Sequence, residues 1–281
     1  MPEKSACATD YNSDQLDLVR STCLYVATKL GDLMDHLVVI GGLVPSLLIN
    51  QDELPDGMDA HVGTMDLDVG LSLALLDENR YQDLSARLRQ AGFVQDVNDD
   101  GNPTRQRWKI EQPRKITIDF LIEPTFPGDK GGTLRHIESD FAAVIAPGLH
   151  LAFRDREQIK LEGLTIKEER AARNIWVSGP GAFVVLKSIA FHNRGENKDA
   201  YDLYYVLQNY GERVDDVAAR LVPLLDDSCT QEALKYLRED FLDIDGIGPR
   251  RAAEFMRGGQ DFTIQADVVG FVRKLLQLCG W

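Results

Sequence analysis

Apolar positions recur at two different spacings along the chain, and the spacing changes for good near residue 180. Over residues 14–35 they return every third or fourth place, which predicts a helix, and 79–90 repeats that pattern. Between and beyond these helices lie short runs near 37–41, 65–73, 93–97, 104–110 and 115–122, where apolar residues alternate with polar ones or stand together, as strands require. After a loop over 124–133, segments near 149–154, 157–167 and 171–177 read as further strands, with Glu162-Gly163 as a hairpin turn. Pro180 then opens helix after helix to Trp281, with breaks at Gly195, Gly211, Asp226-Asp227, residues 246–249 and Gly258-Gly259. There is no internal repeat. The expected class is α+β: a mixed β-sheet with flanking helices over 1–178, followed by a mostly helical region over 179–281.

Within the strands, alternation sorts side chains onto two faces. Asp66 and Asp68 share one face, while Leu67, Val69, Leu71 and Leu73 take the other and can enter the core. In the later strand Ile116, Ile118, Phe120 and Ile122 face one way, which leaves Asp119 on the opposite face beside Thr117 and Lys115. Taken singly, an acidic pair on a half-buried strand is a solvated face. Three carboxylates brought close together repel unless a cation neutralises them, and hard Mg²⁺ (or Mn²⁺) favours carboxylate oxygens combined with substrate phosphates. In two-metal phosphoryl chemistry Asp66 and Asp68 would bridge the ions, and Asp119 would stand on the nucleophile side. Upstream, Val38-Val39-Ile40 ends in Gly41-Gly42, a common turn that also suits close backbone approach to phosphate. The segment 43–49 reads as a helix with amide donors at its start, and Ser46 adds a hydroxyl. This order of elements points to metal-dependent transfer of a nucleotide from a nucleoside triphosphate.

A second cluster lies in the helical part. Residues 183–191 are nearly all apolar, so this helix is buried, and Lys187 interrupts it. A buried lysine needs a partner: a phosphate, a structural acid, or water reached by snorkelling. Arg194 closes the same helix. Asp199 and Asp202 lie three residues apart on one face of the next, where acids also suit the positive end of the helix dipole, and Asp199 reads as structural.

These segments together resemble the nucleotidyltransferase superfamily, and within it the AbiEii/AbiGii-type toxins. The resemblance spans roughly residues 36 to 210. It rests on Gly41-Gly42, Gly63-Thr64-Met65-Asp66-Leu67-Asp68, Asp119, the run Lys187 to Arg194, and Lys198-Asp199-Ala200-Tyr201-Asp202-Leu203. It implies a nucleotidyltransferase-like catalytic domain over 1–178 and a helical C-terminal domain over 179–281 that completes the active site. It also implies transfer of a nucleoside monophosphate to RNA, a tRNA among the candidates, or to protein, as the toxin of a toxin–antitoxin or phage-defence pair with a cognate antitoxin. Asp66 and Asp68 match the family's metal ligands, with Asp119 a looser match. Lys187 and Asp202 match positions used in nucleotide binding and catalysis, Lys187 touching phosphate and Asp202 orienting Lys187 or the acceptor; Gly41, Gly42, Ser46 and Arg194 are further nucleotide-binding candidates. The chain departs from the pattern in the long polar span between Gly42 and Asp66, expected to gate the site or shape specificity.

Composition narrows the rest. With 281 residues and 44% hydrophobic content the chain can bury a substantial core. A formal net charge of -14 disfavours non-specific nucleic-acid binding, so an RNA acceptor needs a local basic patch. Arg105, Arg107 and Lys109, alternating on one strand and joined by Arg114 and Lys115, offer that patch or a charged sheet edge that blocks aggregation. The turn from Gly246 to Ala252 resembles a helix-hairpin-helix phosphate contact, and equally an ordinary helix start. Two other classes stay open: a catalytically silent nucleotide-binding or partner-binding module, and a DNA-binding protein using that turn. Cys7, Cys23, Cys229 and Cys279 lack metal-binding spacing and fit reduced thiols. The start of the chain carries no signal pattern and the longest apolar stretch, 37–49, is short and glycine-broken, so the expected location is the cytoplasm with no membrane partner.

Overall fold

The computed structural model describes residues 7–73, 78–98, 101–111 and 114–281. Packing divides them into two compact units: one built from 13–44 and 63–178, the other from 7–12, 45–62 and 179–281.

The first unit is a mixed sheet with helices. Its elements are α1 (Ser13–Leu30), β1 (Leu37–Ile40), β2 (Asp66–Leu71), α3 (Glu78–Gln90), β3 (Val94–Val97), β4 (Pro103–Ile110), β5 (Ile116–Ile122), β6 (Leu134–Glu138), β7 (Phe141–Ile145), α4 (Leu151–Arg154), β8 (Arg156–Leu164) and β9 (Arg170–Ser178); a short helix, α2 (Val44–Leu48), follows β1. The strands run in the order β3-β4-β5-β2-β1-β9-β8, and β7, paired with β6, also joins β5. The parallel pairs are β2 with β5, β5 with β7, and β1 with β9. Alternation in β5 is as expected: Ile116, Ile118, Phe120 and Ile122 are buried and the residues between them half-buried. Phe120, Phe141, Trp108 and Tyr81 form an aromatic core, with the Phe120 and Phe141 rings 5.2 Å apart.

Four expectations change. The first helix stops at Leu30, because Gly31 takes φ 57° and the chain continues as a 3-10 helix to His36. Residues 149–154 are helical rather than extended: after Gly148, at φ 85°, the carbonyls of Gly148, Leu149 and His150 accept bonds from amides three or four residues on. The β8–β9 turn lies at 165–169, where Thr165 Oγ1 accepts the amides of Lys167 and Glu169 and Glu168 takes φ 59°. Gly163, expected in that turn, instead pairs with Ala171 inside the ladder. Finally β6 and β7 are additional; β7 is a short apolar run without alternation, and β6 is exposed or half-buried with its apolar residues out of phase.

The second unit is helical: α5 (Pro180–Arg194), α6 (Asn197–Asn209), α7 (Val214–Leu221), α8 (Ser228–Phe241), α9 (Ile247–Arg257) and α10 (Phe262–Leu278). The breaks fall where glycines and acids marked them, except that α9 already begins at Ile247, inside the break expected over 246–249. Gly195 ends α5 at φ 64°, and the Asp227 and Asp261 side chains cap α8 and α10. Close approach explains other glycines: a β-carbon on Gly181 would stand 2.6 Å from the Arg220 carbonyl, and one on Gly248 would stand 2.4 Å from the Phe241 ring. In the turn from Gly246 to Ala252, glycine is therefore demanded by packing, and Arg251 bonds Asn197 and Glu254. Among the described residues no helix is long and apolar enough to cross a membrane.

Candidate active site

The sheet brings Asp66, Asp68 and Asp119 together through register. Asp68 on β2 is the lateral partner of Asp119 on parallel β5, and Asp66 pairs with Thr117, so all three acids project from one face. One oxygen from each lies within 4.8 Å of the others, and all three residues are half-buried. Thr64 Oγ1 donates to Asp66 Oδ1 at 2.9 Å. On the other side of β5, Arg107 of β4 is the register partner of Asp119, and its guanidinium grips that carboxylate with two hydrogen bonds, Nε to Oδ1 at 2.7 Å and Nη2 to Oδ2. The bond to Asp119 raises the Arg107 pKa above its ordinary value, with Asp66 and Asp68 adding to the field. An oxygen-only set of three carboxylates suits a hard divalent cation, and Asp66, Asp68 and Asp119 would hold it.

Gly41 shapes this cluster. It stands just after Ile40, the register partner of Asp68, and at φ 71°. A β-carbon there would lie 2.0 Å from Asp68 Oδ2, so glycine is what allows the carboxylate to rest over the turn. Gly42 is buried in the same turn. Ser46 is buried in α2, which spans five residues. A cleft of about 870 Å³ between α1 and the β8–β9 hairpin is lined by residues such as Asp17, Arg114 and Thr165 and includes none of the three acids.

In the helical unit a second polar cluster is buried around Lys187, Asp199 and Asp202, with Arg194 at its exposed margin. Lys187 Nζ donates to Asp199 Oδ1 at 2.8 Å and to Asp202 Oδ2 at 2.7 Å. Arg194 donates to both oxygens of Asp199, at 2.6 and 2.8 Å, and Lys198 donates to Asp202 Oδ1 at 2.7 Å. His61 Nε2 reaches the same Oδ1 at 2.9 Å, its ring stacked on Tyr201 and edge-on to Tyr205. Burial works against every charge here. For Lys187 the pull of Asp199 and Asp202 outweighs burial, and its pKa is raised. For Asp202, Lys187 and Lys198 outweigh burial and hold the carboxyl well below the usual range; Asp199 is lowered in the same way by Lys187 and Arg194. Burial wins at the other two: Lys198 is lowered, and His61 falls to about 4, so it is neutral near pH 7 and donates through Nε2.

The chain matches the family model for the nucleotidyl transferase AbiEii toxin of type IV toxin–antitoxin systems over residues 26–277. It belongs to that family. As a member of the AbiEii family it is a nucleotidyltransferase, and the type IV toxin–antitoxin setting implies a nucleoside triphosphate substrate and an antitoxin partner. No curated protein matches the sequence. Among solved structures, an antigenic nucleotidyltransferase-like protein from Paracoccidioides brasiliensis matches at 14% identity and a TM-score of 0.42, covering 80% of this chain and 94% of that one.

Of the residues picked from sequence in this AbiEii-family chain, the structure gathers Asp66, Asp68 and Asp119 in one cluster, and Lys187, Arg194, Asp199 and Asp202 in another. The basic strand is largely committed elsewhere: Arg107 grips Asp119, and Lys109 and Lys115 pair with Asp96. Sequence reasoning offered Arg107 to an acceptor patch or to a charged sheet edge, because alternation assigns a face but not a neighbour. It missed Thr64 and His61 as contacts. Thr64 was signalled by lying two residues before Asp66 on the same strand parity; nothing local marks His61, 141 positions from its partner.

Proposed function

We propose that this AbiEii-family protein transfers a nucleoside monophosphate from a triphosphate to a hydroxyl on RNA or protein, releasing pyrophosphate, as the toxin of a pair held in check by a cognate antitoxin. The observation that carries the reading is the register of β4, β5 and β2, which sets three carboxylates within one cation's reach. Asp66, Asp68 and Asp119 would hold Mg²⁺ (or Mn²⁺), which when bound would supply neutralisation of the phosphoryl charge and a lowered pKa for the attacking hydroxyl. The acceptor oxygen bonds to the α-phosphorus as the bond to pyrophosphate breaks, and the acceptor proton leaves on the side of Asp119. Arg107 fixes the orientation of Asp119, while Gly41 leaves room for Asp68. Residues 1–178 act as the catalytic domain, and 179–281 as the helical domain supplying nucleotide-side charge. There Lys187 and Arg194 favour the triphosphate, and Asp202 orients Lys187; Gly41, Gly42 and Ser46 are the remaining nucleotide-side residues. The protein works in the cytoplasm, where triphosphates and RNA are found.

The test is incubation of purified protein with Mg²⁺, total RNA and each α-labelled triphosphate in turn. Label should pass to RNA or to the protein with wild type, and transfer should drop at least about 100-fold with Asp66→Ala plus Asp68→Ala. Transfer that survives the double substitution, or absence of transfer with all four triphosphates, would overturn the assignment.

A further inference from the structure

We propose that His61 is a positioning residue of the nucleotide-side cluster, delivered by the polar span before Asp66 to fix the Asp202 carboxylate through a neutral hydrogen bond. The inference rests on the reading that the Lys187–Asp202 cluster serves the triphosphate.

The span that departs from the family pattern was expected to gate the site or shape specificity, and its described contacts within the helical unit hold both of its ends. Gln51 Nε2 donates to the Ile49 carbonyl at 2.7 Å, and Gln51 Oε1 accepts both the His61 amide at 2.7 Å and the Tyr205 hydroxyl at 2.9 Å. The Val62 amide donates to the Tyr201 hydroxyl at 3.2 Å. These bonds bring the two ends of the span, residues 51 and 61–62, onto α6. Their common result is one placement of the His61 ring, 3% exposed, against Tyr201 and Tyr205.

What that placement achieves follows from the donors around Asp202, a residue with no exposure. Its Oδ2 takes Lys187, and its Oδ1 takes Lys198 and His61. A carboxylate held on Oδ1 by one flexible lysine can rotate, and Lys187 would then lose its second anchor. The imidazole is rigid, with one face stacked on Tyr201 and Tyr205 packed edge-on beside it, so it fixes the carboxylate plane. Charge matters equally. Lys187 and Lys198 already bond Asp202, and a further cation in this buried space would repel the lysines it is meant to help place. A neutral imidazole supplies the hydrogen bond without adding charge. The polar span thus fixes the geometry of the two lysine ammonium groups that bond Asp202.

The test uses His61→Phe, which keeps a ring against the tyrosines without an N–H, and His61→Gln, whose amide nitrogen reaches about as far as Nε2. Thermal melting, binding of each non-hydrolysable triphosphate with Mg²⁺, and KM against kcat for label transfer are measured in the full chain. The Phe variant should fold and bind the preferred triphosphate about tenfold more weakly, raising KM far more than it lowers kcat, and Gln should restore most of the affinity. If Phe does not fold, Asn, too short to reach Asp202, takes its place in the comparison. Equal affinity in wild type and Phe, or Gln no better than Phe or Asn, would overturn the role of His61. Failure of the underlying reading gives a different pattern: wild type binds triphosphate and Lys187→Met binds it equally well, or wild type binds none, and either result overturns this inference too.

Discussion

At the scale of single residues, the most constrained position in the sheet unit is Gly41, where backbone and carboxylate need the same space. Alanine there would carry a positive φ and a methyl 2.0 Å from Asp68 Oδ2. The conformational part costs about 1 kcal/mol, so Gly41→Ala should lower the melting temperature by only a few degrees. Displacing Asp68 should cost far more in function, and Mg²⁺-dependent label transfer should fall at least about tenfold. Wild-type transfer in a folded Gly41→Ala protein would show that Asp68 tolerates the shift. The sequence marked Gly41-Gly42 as a turn near phosphate; the contact that makes Gly41 irreplaceable became visible only with Asp68 placed across from Ile40. Asp66 and Asp68 were legible because two residues on one strand share a face by geometry. His61 was not, because no rule of spacing joins it to a helix 141 positions away.

At the scale of elements, the alternation of β2 and β5 was readable, but the pairing that joins them was not. Strand order and register set Arg107, Asp119 and Asp68 side by side on three adjacent strands. A slip of one residue in any of them would have turned the same side chains to the other face. The Arg107–Asp119 pair is mostly enclosed, with side-chain exposures of 20% and 14%, so removing the guanidinium strips two hydrogen bonds from a crowded carboxylate. Arg107→Gln should cost about 1–3 kcal/mol in metal-free protein. Added Mg²⁺ should then raise the melting temperature of the variant more than that of wild type, because the ion takes over the neutralisation. A smaller Mg²⁺-induced rise in the variant would count against the carboxylates sharing a cation. The turn after β8 teaches the same lesson in reverse: Glu162-Gly163 looked like a hairpin, yet Thr165 and Glu168 offered better turn bonds and the ladder ran on past Gly163.

At the scale of the whole molecule, stability should report on the enclosed cluster of the helical unit through pH. His61 is depressed from 6.5 to about 4, so between those values the unfolded chain binds a proton that the folded chain does not. Stability therefore falls as pH drops through that window, by on the order of 3 kcal/mol. Asp199 and Asp202, also depressed, contribute stability that is full above their ordinary value of 3.8 and is lost only as pH falls below it. Urea unfolding at a series of pH values should show the upper window in wild type and its absence in His61→Phe, while the loss below 3.8 stays in both. An identical pH dependence in the two proteins would mean that His61 is not held neutral by the fold.

The sequence by itself determined the alternation that gives β2 and β5 their acidic faces, the helical region with its glycine and acid breaks, and the family to which the chain belongs. These rest on local spacing and local backbone preference, which a chain carries before it folds. Tertiary structure alone decided that Arg107 holds Asp119 instead of standing in a free basic patch, that Asp68 needs Gly41, and that His61 closes the bonding around Asp202. Each of those is a contact between distant segments, fixed by register or by burial, and neither is written in the spacing of residues along the chain.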